Sequence, residues 1–146
     1  SLEEGLQLVR DLGGLPVYPV VADGMSPASP TETDPDALIG YLKSEGFEAV
    51  EFIPNRNSPG VLREMVLALY EAGFVVTAGT EHNTLDLLPM VPECQGGEPV
   101  PDECQEVFWK GACVLAAHQH HVLNGKAGYS GDQAAFEAAG REMLGG

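Results

Sequence analysis

The chain has 146 residues, 44% of them hydrophobic, which suits one domain with a core and is short for two ordinary domains. Seven basic residues stand against 22 acidic ones, and the formal net charge of −15 argues against nucleic acid and anionic membranes as partners. Few cysteines, no signal-peptide pattern and no apolar stretch of bilayer length predict a cytoplasmic protein, with a Cys94–Cys104 disulfide left open.

Helices and short apolar strands alternate along the first half of the chain. Helices are predicted over residues 2–12, 34–46 and 58–73, and strands over residues 15–22, 49–53 and 74–78. Helices that connect successive strands in this way are crossovers, so the sheet is predicted to be parallel. Pro16 and Pro19 weaken the first strand, because each removes a donor from the hydrogen-bond ladder.

The second half of the chain is predicted to be helical after a long acidic loop over residues 79–101. One helix is expected from about Asp102 to Asn124 and another from Asp132 to Leu144. The whole pattern predicts an α/β fold in a single domain, residues 1–146. The three predicted strands form a parallel sheet with crossover helices, which corresponds to part of a (β/α) barrel. Two C-terminal helices follow this sheet.

Three candidate metal ligands follow the first and third strands. In parallel α/β sheets ligands bind beyond the carboxyl ends of the strands. Glu81 and His82 combine an oxygen and an imidazole at such an end, a mixture suited to zinc, manganese or iron. Asp23 follows the first strand and is a weaker candidate, since a loop aspartate before glycine is usually a turn former. Ordinary loop polarity is the alternative interpretation of all three residues.

The second strand is followed by Asn55, Arg56 and Asn57, which are candidate substrate-binding residues. Arginine is the usual bidentate partner of a carboxylate or phosphate, and asparagine can bind a substrate hydroxyl. Turn chemistry with a salt bridge to nearby acids explains the same residues equally well.

A histidine cluster, His118, His120 and His121, lies in the first C-terminal helix. On a helix His118 and His121 share a face, but two ligands from one helix need a third from elsewhere. A solvated or interface cluster is therefore the preferred interpretation. The sequence contains no nucleophile elbow, P-loop or dinucleotide fingerprint.

Three segments resemble the later strands of PHP domains, the polymerase-and-histidinol-phosphatase family of metal-dependent phosphoesterases. The segments are GGLPVYPVV at residues 13–21, GFEAVEFI at residues 46–53 with Asn55 after it, and GFVVTAGTEH at residues 73–82. In that family, whose fold is a distorted (β/α)7 barrel, a late strand usually ends in a Gly-Ser-Asp-x-His pattern of metal ligands. The resemblance implies that Glu81 and His82 are ligands or lie near the metal.

The chain also departs from the family pattern. Where the family usually has Ala-His-Pro, this chain has Ala22-Asp23-Gly24, and no histidine precedes His82 to supply the H-x-H of the first family strand. Because three strands cannot close a barrel, we expect a carboxy-terminal fragment of a PHP-like protein.

Function follows from that expectation. The parent is predicted to be a metal-dependent phosphoesterase using zinc, manganese or iron. This fragment alone is predicted to be inactive and to bind no divalent metal tightly. The alternatives are a non-catalytic binding or oligomerisation module of the same fold, and a complete small α/β domain with a chance resemblance. The expected partners are the missing amino-terminal part and further copies of the chain, unless the C-terminal helices cover the sheet edges.

Overall fold

The structure, a computed structural model, describes residues 1–27, 29–80, 85 and 90–145. Within these residues there are five α-helices and three strands, which follow one another in the predicted order. They are α1 (Leu2–Asp11), β1 (Val17–Val20), α2 (Pro35–Glu45), β2 (Ala49–Phe52), α3 (Pro59–Glu71), β3 (Val75–Ala78), α4 (Asp102–Leu123) and α5 (Gln133–Leu144). One short 3₁₀ helix follows β1 and another follows β2. A further short 3₁₀ segment lies within the long loop after β3. None of the described helices is long and apolar enough to cross a membrane.

The three strands form one parallel sheet in the order β1-β2-β3, which confirms the predicted α/β fold with its crossover helices and two C-terminal helices. Asp34 caps α2 through a bond from the Asp36 amide, and Gly46 ends α2 in the left-handed conformation. Each strand is one to four residues shorter than predicted, because the apolar runs continue into the turns.

The two faces of the sheet are covered differently. One face carries Val20, Val50, Phe52 and Val76, which are buried against apolar residues of α2 and α3. On the second face, Ala49 and Val75 are buried beneath α4 and the turn before α5, in a small cluster with Val114 and Tyr129. That cluster covers the amino-terminal half of the second face, whereas Glu51 and Thr77 in the carboxyl-terminal half stay half-buried.

Helix α4 covers the outer edge of β3. The amides of Val75 and Gly79 donate to carbonyls of the β2 segment, so the intervening Val76 carbonyl points away from β2. Gly111 of α4 lies directly against that carbonyl oxygen, so closely that a Cβ atom would overlap it. The expected alternative, a sheet edge covered by a C-terminal helix, therefore holds at β3.

The outer edge of β1 contains Pro19. In the register Pro19–Glu51–Thr77, Thr77 directs its backbone toward β2, so Glu51 directs its own toward β1 and Pro19 points outward. The backbone nitrogen of Pro19 therefore faces away from β2, and its lack of an N–H removes no hydrogen bond between β1 and β2. This position explains why the proline is compatible with the strand.

Candidate functional site

The carboxyl ends of the three parallel strands lie at one end of the sheet. Asp23 follows β1, Asn55 follows β2, and Gly79 and Thr80 follow β3. The structure thus brings the predicted segments after β1 and β2 together at a common rim. Glu81 and His82, the two predicted metal ligands after β3, lie outside the described residues.

Asp23 connects the first two of these strand ends. Its carboxylate accepts hydrogen bonds from the Asn57 side-chain amide at 2.9 Å and from the Ser58 hydroxyl at 2.6 Å. The Ser58 backbone amide also donates to it, at 3.2 Å, immediately before α3 begins. Asp23 therefore anchors the start of α3 to the end of β1, and serving as a metal ligand would compete with these bonds.

The ionisation of Asp23 is coupled to the same contacts. Partial burial acts to raise the pKa of the Asp23 carboxyl, but the bonds from Ser58 and Asn57 together outweigh burial and hold the pKa below its ordinary value. The ionised form is therefore the one that the fold stabilises.

A second carboxylate, Glu32, organises the turn after β1. Glu32 is only 6% exposed, and it accepts bonds from the backbone amides of Val21 and Ala22 at 2.8 and 2.7 Å and from the Tyr18 hydroxyl at 2.9 Å. Ala22 has a φ of +47°, an unusual value for a residue with a side chain, and the two amide bonds hold it there. Together Glu32 and Asp23 order the first segment of the rim.

The Glu32 contact predicts an unusual titration of Tyr18. Burial and then the hydrogen bond to Glu32 raise the pKa of Tyr18 to about 12. A pKa that is raised in the folded state means that the protonated Tyr18 stabilises the fold. This stabilisation is fully present below the ordinary tyrosine pKa of about 10 and is lost as the pH rises through about 12. Ultraviolet titration of the phenolates should show this late transition, absent in Tyr18→Phe and shifted to lower pH in Glu32→Gln. An unchanged late transition in Glu32→Gln would contradict the assignment, and the exposed Glu45→Gln serves as the matched control.

The three predicted substrate-binding residues occupy different environments. Asn57 is fully buried, and its side-chain amide donates to the Val21 carbonyl and to the Asp23 carboxylate. Its Oδ1 atom has no hydrogen-bond partner among the residues that the structure describes. Arg56 is exposed, and its carbonyl accepts a bond from the Gln95 side chain. Asn55 is exposed at the rim. Asn55 is thus the member of the three that lines a cavity at the rim.

A cavity of about 250 Å³ lies at the rim. Asn55, Gly79 and Thr80 contribute from the strand ends, and the far wall comes from the loop over residues 91–97. Within the described lining the one charged side chain is Glu93. The loop is held against the β2 turn by bonds from Gln95 to the Asn57 and Arg56 carbonyls, so the cavity is a built feature of the fold.

Glu51 is a candidate beyond the residues predicted from the sequence. The alternation within β2 places Glu51 on the second face, opposite Val50 and Phe52. Its carboxylate lies against Gly79, where a Cβ atom would overlap it. Among the described residues, no hydrogen bond or ion pair engages this carboxylate. A glutamate that interrupts a buried apolar strand was the signal in the sequence.

The other metal-ligating residue types are used structurally. In the part of the chain that the structure covers, no three His, Cys, Asp or Glu residues are grouped as a metal site requires. Cys94, Cys104 and Cys113 are buried free thiols, so the disulfide left open by the sequence is not formed. Burial raises the pKa of the Cys104 thiol to about 11, which keeps this residue protonated and a poor metal ligand at neutral pH.

The histidine cluster is divided between structural and surface roles. His118 joins two turns, since its Nδ1 accepts from the Tyr129 amide at 2.9 Å and its Nε2 lies 2.9 Å from the Gly13 carbonyl. These partners require the neutral tautomer with the proton on Nε2. His121 contacts the Ala127 carbonyl, and His120 is exposed.

Comparisons of the chain with protein-family models, with curated proteins and with solved structures gave no match. The arrangement of the rim therefore supplies the functional argument.

Proposed function

We propose that the chain is the carboxy-terminal part of a PHP-like metal-dependent phosphoesterase and is inactive as an isolated fragment. The observation that carries the proposal is the Glu51 carboxylate. It is half-buried at the carboxyl end of a parallel sheet, against Gly79, with no partner among the described residues. A partly desolvated carboxylate without a partner is costly, and a cation is the natural compensation.

The proposed roles follow from position. Glu51 would hold a divalent metal together with Glu81 and His82, which follow Gly79 and Thr80 directly in the chain. Carboxylate and imidazole together suit zinc, manganese or iron. When bound, such a metal supplies an activated water and neutralises charge on a phosphoryl group. Asn55 would contact the substrate from the cavity wall, while Asp23 keeps the rim ordered.

Weak metal binding at Glu51 is the first test. Because the fragment is expected to lack ligands, we predict binding only at millimolar Mn²⁺, detected as paramagnetic broadening of the Gly79 and Thr80 amide signals in NMR spectra. Glu51→Gln should abolish this broadening by removing a charged ligand. The matched control is Glu48→Gln, which changes a half-buried glutamate at the opposite end of β2 and should leave the broadening intact.

Two outcomes would contradict the proposal. Broadening confined to the acidic first turn of α4, or broadening unchanged by Glu51→Gln, would remove the metal site from the rim. A tight stoichiometric Mn²⁺ or Zn²⁺ site in calorimetry would contradict the predicted incompleteness of the fragment, as would chelator-sensitive hydrolysis of an aryl phosphate.

The cavity favours a second candidate, a non-catalytic binding module of the same fold. Its described lining contains Asn55, Thr80 and Glu93 but no basic side chain, so a neutral or cationic small molecule fits it better than a free phosphate. If Mn²⁺ fails to broaden the rim signals, this candidate replaces the phosphoesterase. The buried free thiols accord with the cytoplasmic location that we propose for either function.

A further inference from the structure

A separate cavity, of about 330 Å³, lies at the amino-terminal end of the sheet, opposite the rim. The turn after α1 and the turn before α5 form two of its walls. His118 fastens these turns to each other through the Gly13 carbonyl and the Tyr129 amide, which occupy both of its ring nitrogens. The cavity is therefore a built feature of the fold, and its volume is close to the lower limit of about 300 Å³ for small-molecule sites.

Tyr129 brings a hydroxyl group to this cavity. The residue is only 7% exposed, yet among the described residues no hydrogen bond engages its hydroxyl. Protein atoms do not enclose the hydroxyl either, so it can be reached from the cavity. Burial, and then the charge of Glu48, raises the pKa of the Tyr129 hydroxyl. The hydroxyl is therefore protonated at neutral pH, and a buried donor of this kind ordinarily has an acceptor.

Two opposite charges line the same cavity without pairing with each other. Arg10 donates one N–H to the Gly46 carbonyl, which anchors the guanidinium and leaves its other N–H groups for a ligand. Glu48 is half-buried, and no hydrogen bond or ion pair within the described part of the chain engages its carboxylate. A cation site and an anion site thus stand ready beside the Tyr129 hydroxyl.

We propose that this cavity binds a small zwitterion, an α-amino acid with an aliphatic side chain. The ligand carboxylate accepts hydrogen bonds from the Arg10 guanidinium and the Tyr129 hydroxyl, and the ligand ammonium group donates to Glu48. An α-amino acid carries both charged groups on one carbon atom, so it can bridge neighbouring donors and acceptors. Leu15 and Val122 add apolar lining that suits an aliphatic side chain.

The two charges disfavour ligands that carry charge of one sign only. A purely anionic ligand meets the Glu48 carboxylate and the net charge of −15. A cation without a carboxylate meets Arg10 and leaves the guanidinium partly desolvated without a partner. A zwitterion avoids both costs. This inference does not depend on the proposed catalytic function, because the cavity lies at the other end of the sheet.

Titration with L-leucine, followed through the NMR signals of the Glu48 and Tyr129 amides, tests the site. Saturable shifts of these signals are expected. Two analogues each lack one charged group: 3-methylbutylamine has no carboxylate, and 4-methylpentanoate has no ammonium group. Each should bind at least about tenfold more weakly, because one charge of the cavity then has no partner. The absence of saturable shifts with L-leucine, or equal affinity for either analogue, would overturn the proposal.

Tyr129→Phe separates ligand binding from folding. Because the hydroxyl makes no bond within the described chain, the Tm should stay unchanged while the dissociation constant of L-leucine rises about tenfold. Glu48→Gln should weaken binding at least as much. The matched control is Lys43→Gln, which removes an exposed cation that borders a smaller depression beside Glu48 and should leave the dissociation constant unchanged. Binding that is unchanged in Tyr129→Phe or Glu48→Gln, or weakened equally by Lys43→Gln, would contradict the assigned site.

Discussion

Replacing Asp23 with alanine is expected to lower the free energy of unfolding by about 2–4 kcal/mol. The substitution removes the acceptor of three donors, the Asn57 amide, the Ser58 hydroxyl and the Ser58 backbone N–H. Asn57 is fully buried, so its released N–H has no access to water, and α3 loses the acceptor at its start. Urea denaturation of the native chain and the variant measures the difference.

The matched control for this prediction is Asp11→Ala. Asp11 is exposed at the carboxyl end of α1, where a negative charge opposes the helix dipole, so the change should be within about 0.5 kcal/mol. Similar losses in both variants would show that charge removal alone, and not the rim contacts, accounts for the effect.

The Asp23 contacts also predict an acid dependence. Because hydrogen bonds hold the pKa of Asp23 below its ordinary value, its contribution is present above the unfolded pKa of about 3.9 and is lost as the pH falls through the lower folded pKa. The stability difference between the native chain and Asp23→Asn should therefore be constant near neutrality and shrink below about pH 4. The value of pH 2 lies about two units below the ordinary aspartate pKa. A stability difference that stays unchanged down to this pH would contradict the assignment.

Replacing Gly140 with alanine is expected to destabilise the protein by about 1–3 kcal/mol. A Cβ atom there would overlap the Cys113 carbonyl and come within 2.6 Å of the Cys113 Cα atom, so α5 would have to move away from α4. Gly111→Ala should have a similar effect, because its Cβ would overlap the Val76 carbonyl at the edge of β3. In both places the obstacle is backbone, which cannot rotate aside as a side chain does.

Gly40→Ala is the control for the glycine variants. Gly40 lies exposed inside α2 with no heavy atom of another group within 4 Å of the Cβ position. Alanine should stabilise this helix by up to about 1 kcal/mol through its higher helix propensity. Thermal denaturation should give a lower Tm for Gly140→Ala and Gly111→Ala and a higher Tm for Gly40→Ala, which would separate the effect of close packing from that of helix propensity. Equal stabilisation at all three positions would contradict the close backbone contacts of Gly140 and Gly111.

The sequence by itself determined the order and type of the elements. Apolar runs of strand length, separated by helices that begin at Asp34-Pro35 and Ser58-Pro59, require crossover connections and therefore a parallel sheet. Cap and turn chemistry acts over a few residues, so it can be recognised without the fold. The same local rules placed Asp23 and Asn55 at one end of the sheet, because strand direction follows from the crossovers.

Only the tertiary structure decided what the polar residues do. Asp23 and Ser58 are 35 positions apart, and nothing in either segment indicates that they form a hydrogen bond. The covering of β3 by Gly111, and the outward direction of Pro19, likewise depend on the register between strands. Local preferences are set by neighbours in the chain, whereas these contacts depend on how distant segments pack, which no pattern within one segment encodes.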